Sequence, residues 1–222
     1  MSEALSDGAA PAPGRTRRNR GSEVVRHALV SAAIEEFSAH GFEGASTRRI
    51  AEAAGAHQSQ IKYHFDGKDE LWKQCLRRLV AEVDDAIAEA LGKADSPTGD
   101  LAVVEAVIRG LVRFASRRPE LSRIMMHEAT SPSERLAWLV EHETGERRRT
   151  IVTLWEGLRA KGLVAPVDGE ALYHTAIGAS SLLYANAPEA VLMGIDPSSP
   201  DVIERHADAL VAMFIPSARP TR

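Results

Sequence analysis

The sequence predicts an all-α protein: a small three-helix head of helix-turn-helix form followed by a larger helical body, about nine helices in total. Three observations carry this expectation. Hydrophobic residues make up 44% of the 222-residue chain but aromatics only 5%, with Ala and Leu recurring throughout, and unbranched side chains lose little rotamer freedom in a helix. Long Val/Ile/Thr/Tyr alternations of the kind that build sheets are missing. Apolar residues recur instead at helical spacing, between Gly, Pro and Ser punctuation.

Taken in order, residues 1–20 read as a disordered arm, because Pro11, Pro13 and their small neighbours cannot bury a core. Arg15, Arg17, Arg18 and Arg20 make its end basic, which suits either a solvated tail or an arm laid along phosphates or into a minor groove. A first helix opens at Ser22 or Glu23 and carries Val30, Ala33, Ile34 and Phe37 at i, i+3, i+4, i+7; Gly41 ends it. Ser46 and Thr47 can cap a second, whose Ile50, Ala51 and Ala54 face the same core and which Gly55 breaks. A third runs from about Gln58 to Phe65, with Ile61 and Phe65 on its buried side. Residues 21–67 thus form the head, residues 68–216 the body and residues 217–222 a tail.

The body begins with a long helix, Asp69 to about Leu91, that joins the two parts. A fifth helix spans Asp100 to about Arg117, a sixth starts at Pro119, and a long stretch runs from Ser133 to about Lys161 with a kink expected at Gly145. Further helices are expected over 169–185, 188–194 and 200–214.

Composition limits the function. One cysteine, Cys75, excludes an internal disulfide and a multi-cysteine metal site. The N-terminus lacks the apolar run of a signal peptide, and no stretch reaches the roughly 20 apolar residues of a membrane helix, so a cytoplasmic protein without a membrane partner is expected. The net charge is −4, yet residues 15–68 hold nine Lys/Arg against six Asp/Glu. A basic head on an acidic body suits a protein that brings one end to phosphates.

Two short helices joined by a Gly-containing turn, with a supporting helix ahead of them, make a helix-turn-helix. The outward positions of the third helix are Gln58, Ser59, Gln60, Lys62, Tyr63 and His64, and no carboxylate falls between Ala53 and Phe65. A merely solvated helix would more often carry Glu and Lys pairs. Laid in a major groove, Gln58 and Gln60 could each pair with adenine N6 and N7, and Arg48 could fork onto guanine O6 and N7 or hold a phosphate.

Gly41-Phe42-Glu43-Gly44, the run Ser46 to Gly55, and Ile61-Lys62-Tyr63-His64-Phe65 followed by Lys68-Asp69-Glu70-Leu71 resemble the TetR family of transcriptional regulators over about residues 24 to 72. His57 and Lys62 depart from the family's more usual Ser and Tyr, which bears on the operator sequence rather than on the binding mode. The resemblance implies phosphate clamps at Thr47, Tyr63, His64 and Lys68, although His64 could equally pack under the turn. It implies a homodimer on a palindromic operator in double-stranded DNA. It also implies a repressor released when a small-molecule effector enters a pocket behind the fourth helix, shifting that helix and the spacing of the two DNA-reading modules.

Candidate pocket residues are Met125, Met126, His127, Trp138, His142, Trp155 and His174, for each of which core filling is the competing role. Methionine would favour an apolar, irregular ligand. A small-residue patch over 177–181 makes Tyr173, Ile177, Ser180, Ser181 and Tyr184, with Val211 of the last helix, the candidate dimer contacts, intrachain packing being the alternative. No cofactor, metal or catalytic residue is expected: P-loop, G-x-S-x-G, dinucleotide and H-E-x-x-H patterns are absent, and Glu141-His142-Glu143 fits a solvated helix face better than a metal site. The remaining alternative is a constitutive or architectural DNA-binding protein without a sensor, which the acidic body disfavours.

Overall fold

The computed structural model describes residues 13–92 and 99–216, as backbone alone for 13–20. Its described residues form eleven α-helices and one π turn, without strands. The head comprises α1 (Pro13–Gly44), α2 (Thr47–Ala53) and α3 (Ser59–Phe65). The body comprises α4 (Lys68–Gly92), α5 (Asp100–Arg117), α6 (Glu120–Glu128), α7 (Glu134–Leu139), α8 (Gly145–Ala160), α9 (Gly169–Ala185), α10 (Ala187–Leu192) and α11 (Pro200–Phe214).

The expected stripe on α1 is buried: Val30, Ala33, Ile34 and Phe37 pack with Leu29 against Ile50, Ala51, Ile61 and Phe65. The helix itself starts earlier than expected. Its backbone is helical from Pro13, within the segment expected as an arm; Pro suits the first turn, where its missing N–H costs nothing. The expectation of disorder for residues 1–12, and of a tail over 217–222, lies outside the described residues.

At Gly41 the helix breaks with φ 64° and ψ 179°, a backbone region open essentially to glycine. A Cβ there would also lie 3.2 Å from the His127 ring of α6. Gly55, at φ 62°, makes the turn between α2 and α3.

Two apolar clusters divide the molecule, and the division does not follow residue 67. The first joins α1–α3 to Leu71, Trp72, Cys75, Leu76 and Leu79 of α4 and also takes in Phe114, Ile124 and Leu139. The second holds Val104, Ile108 and Val112 of α5, Trp155 and Leu158 of α8, and Ala207, Leu210 and Phe214 of α11. The N-terminal half of α4 is therefore core to the head, because Leu71, Trp72, Cys75, Leu76 and Leu79 repeat at helical spacing on the face turned to α1. Where α4 and α5 cross, a Cβ at Gly110 would lie 2.8 Å from the Ile87 Cα, so the two backbones pack directly.

The stretch expected to kink at Gly145 is interrupted just before it. Residues Val140–Thr144 form a π turn, and the Gly145 N–H closes it on the Val140 carbonyl. A side chain at 145 would collide with that oxygen, 2.5 Å from where its Cβ would stand. Among the described residues, no helix is long and apolar enough to cross a membrane.

Candidate nucleic-acid interface

Ser46 caps α2, its hydroxyl accepting from the Arg49 N–H at 3.4 Å. In the usual capping box a Glu or Gln three residues on accepts the cap residue's own N–H. Here that position is Arg49, and Glu36 of α1 supplies the carboxylate instead, accepting from Ser46 N at 2.8 Å and from Arg49 Nε at 2.9 Å. A second Arg49 nitrogen donates to the Gly44 carbonyl at 3.0 Å. Burial opposes ionisation of Glu36, but the bonds from Arg49 and Ser46 outweigh it and hold the carboxyl below its usual range. Glu36 and Arg49 therefore fix the corner from which α2 departs, a role the sequence signalled only through the missing acidic residue at position 49.

The third helix buries Ile61 and Phe65 and turns Gln58, Ser59, Lys62 and Tyr63 to solvent, Tyr63 being 79% exposed. Its two glutamines differ. Gln60 is half-buried and folds back so that its Oε1 accepts the His57 N–H at 3.0 Å, completing the helix start rather than facing outward. Gln58 is exposed and donates from Nε2 to the Thr47 hydroxyl at 2.8 Å, bridging the starts of α3 and α2. Beside this bridge lies a groove of about 400 Å³ lined by Thr47, Gln58, Ser59, Lys62 and Lys68.

A second groove of about 440 Å³ opens between α1, α3 and α4, with Arg26, Tyr63, His64 and Gln74 in its wall. His64 is half-buried there, edge-on to Tyr63 at 4.9 Å. Arg26, absent from the expected site, bonds Gln74 at 2.9 Å and stands over the Phe65 ring. Its signal in the sequence was weak, one cation among the several charged residues of α1.

Two outward cations of the motif, Arg48 and Lys62, have carboxylate partners one turn on. Arg48 Nε lies 2.8 Å from Glu52, and Lys62 Nζ lies 2.5 Å from Asp66, whose carboxyl the lysine holds below its usual range. These pairs are open to water, so a phosphate can replace the carboxylate at small cost. Lys68, first residue of α4, stacks its ammonium over Phe42 at 4.6 Å. Arg17, Arg18 and Arg20 stand on the α1 backbone, and their side chains lie outside the described residues.

The body's candidate residues are dispersed. Trp138 and His142 stack on each other at 5.5 Å, with Trp72 edge-on and Lys73 and Arg77 over the Trp138 ring. Met125 packs on the first cluster, Met126 is exposed, and His127 meets Gly41. Trp155 is sealed in the second cluster and donates to the Val167 carbonyl at 2.8 Å, whereas His174 is exposed beside Tyr173. The seven do not share one neighbourhood: Met125 and Trp138 pack on the first cluster, Trp155 lies in the second, and Met126, His127, His142 and His174 are exposed.

The dimer candidates also need correction. Ser180, Ser181, Tyr184 and Val211 are buried within the chain: the two serines bond carbonyls of their own helix, and Tyr184 bonds His206 at 3.1 Å. Tyr173 is half-buried, and Ile177 is exposed. Leu182 of α9 and Met213 of α11 are exposed as well, an outward set that helix periodicity alone did not separate from the inward one.

Residues 29–75 match the model of the bacterial regulatory proteins of the tetR family. Over 189 residues the chain is 29% identical to the HTH-type transcriptional regulator RutR of Escherichia coli K12, covering 83% of this chain and 84% of that one. It is 33% identical over 122 residues to the HTH-type transcriptional regulatory protein RaaS of Mycobacterium tuberculosis, covering 52% and 57%. Its fold is similar to that of AibR, solved with isovaleryl coenzyme A and operator DNA, with TM-score 0.67 and 18% identity over 86% of this chain and 98% of that one.

Proposed function

The chain belongs to the TetR family of transcriptional regulators, and from that membership we propose that it binds a palindromic operator as a homodimer and represses until a small-molecule effector releases it. It is a sequence-specific DNA-binding regulator whose reading element is α3. The observation that carries this is the outward face of that helix: Gln58, Ser59, Lys62 and Tyr63 stand exposed in a segment free of carboxylates from Ala53 to Phe65. Such a face can enter a major groove without repelling the phosphates on either side.

Thr47, Tyr63, His64 and Lys68 border the two grooves beside that face and are the proposed backbone contacts, with Arg48 next to them for a base or a phosphate. One such helix reads few base pairs, so two copies are needed, with their recognition helices about 34–36 Å apart. The dimer contact proposed is the outer face of α9 and α11, carrying Ile177, Leu182 and Met213. The effector reading draws on family membership and on the effector-bound AibR complex. An effector can act only through unequal affinity for the two spacings of the dimer. The site of action is the cytoplasm, where the DNA is, and no catalytic role is proposed.

Footprinting on the DNA beside the protein's own gene, at several salt concentrations, tests this. A protected palindrome bound more than about a thousandfold tighter than random duplex is the expected result. Equal binding to all duplexes with steep salt dependence would leave a non-specific, architectural protein.

A further inference from the structure

Of the two glutamines that open α3, the structure leaves one with both an acceptor and a donor to offer a base. Gln60 spends its carbonyl oxygen on the His57 N–H, and its side chain is half-buried. Gln58 is exposed, and one of its two amide protons goes to the Thr47 hydroxyl at 2.8 Å. A glutamine amide carries one acceptor oxygen and two N–H donors. With one N–H held by Thr47, what remains is one acceptor oxygen and one N–H donor.

That remainder matches adenine, whose major-groove edge presents an N6 amino donor next to the N7 acceptor. Guanine presents two acceptors, O6 and N7, and would be matched only by an amide showing both protons outward. Holding the amide by its nitrogen therefore favours adenine, whereas holding it by its oxygen would favour guanine. Thr47 accepts from Gln58, so its own hydroxyl proton stays available to the 400 Å³ groove beside it, where Lys68 also stands.

We propose that Thr47 is a positioning residue for operator specificity: it sets the amide of Gln58 so that this side chain selects adenine over guanine at one position of each half-site, a pairing that Gln60, with its oxygen spent on His57, cannot make. This rests on the regulator reading and deepens it, by giving Thr47 a part in sequence choice where the family resemblance implies only a phosphate clamp.

The test is selection of the full-length protein on randomised duplexes, followed by binding measurements on the enriched sites. Q58A, T47V, T47A, T47S and Q60A are compared with wild type, and circular dichroism checks that each is folded. Q58A identifies the position whose preference depends on Gln58. There the wild type should favour adenine over guanine by on the order of tenfold or more, the worth of one good bidentate contact. T47V and T47A should lose most of that preference, T47S should keep it, and Q60A should leave it unchanged. T47V and T47A that weaken all sequences equally and keep the adenine preference would overturn the proposal, as would a guanine preference at that position or a preference that follows Gln60. Enrichment of no sequence by the wild type would sink the regulator reading itself, a result visible before any variant is compared.

Discussion

The guanidinium of Arg135 in α7 lies 3.7 Å from the centre of the Phe42 ring, while Lys68, at the start of α4, stands over the same ring at 4.6 Å. Phe42 follows the Gly41 break and stacks on Phe37, so one aromatic side chain ties the elbow of the head to two body helices. Arg135 also pairs with buried Glu128 at 3.3 Å and with exposed Glu43 at 3.3 Å. A movement of α6 or α7 must therefore disturb the segment that leads into α2.

Removing that guanidinium strands a buried carboxylate. R135M should lower stability by about 3 kcal/mol, since among the described residues Glu128 then keeps only the Ser133 hydroxyl. R135M with E128Q should recover most of the loss in urea unfolding, because no uncompensated charge remains. A double variant as unstable as the single one would show that packing on Phe42, and not the ion pair, holds α7.

Gly41 faces two constraints that can be separated. G41A should cost about 1–3 kcal/mol from its backbone angles alone. The contact with His127 adds to this, so G41A/H127A should recover only the steric part. Full recovery would mean that the backbone carries no strain.

His206 should make stability depend on acid. Burial holds its imidazole below the ordinary 6.5, and its Nδ1 faces the Tyr184 hydroxyl at 3.1 Å. The unfolded chain then binds the proton first, so stability is present above about pH 6.5 and is lost as pH falls through the lower folded value. Thermal melts of wild type between pH 7.5 and 5 should fall more steeply than those of H206F. Parallel curves would assign the acid dependence to other groups.

Cys75 should behave in the opposite sense at high pH. Burial pushes its thiol above the ordinary 9.0, with Sγ 3.7 Å from the Val30 carbonyl. The unfolded thiol ionises near pH 9 while the folded one does not, so this contribution to stability declines above that pH. At pH 8 a thiol reagent should label the native protein no faster than it opens, and rapid labelling would place the α1–α4 contact among the mobile parts.

Much of this molecule could be read from neighbours in the chain. The stripe Val30, Ala33, Ile34, Phe37 and the glycines at 41 and 55 located the head, since a helix face and a left-handed turn depend on residues within about four positions. The order of Ser46–Gly55 and Ile61–Leu71 located the motif. The body was harder: Ser180, Ser181 and Tyr184 lie on one helix with Ile177 and Leu182, and spacing alone does not say which side meets α11 and which meets solvent.

The positions of α2 and α3, the turn between them, and the polar character of the α3 face were thus settled by local sequence, through capping, periodicity and backbone freedom. Which polar groups on that face stay free was settled by packing. Glu36 reaches Ser46 and Arg49, and Thr47 reaches Gln58, from segments that meet only once Ile50 and Ile61 are buried against α1. Hydrogen-bond partners ten or more residues apart leave no periodic trace, because their meeting depends on how whole helices dock and not on the residues between them.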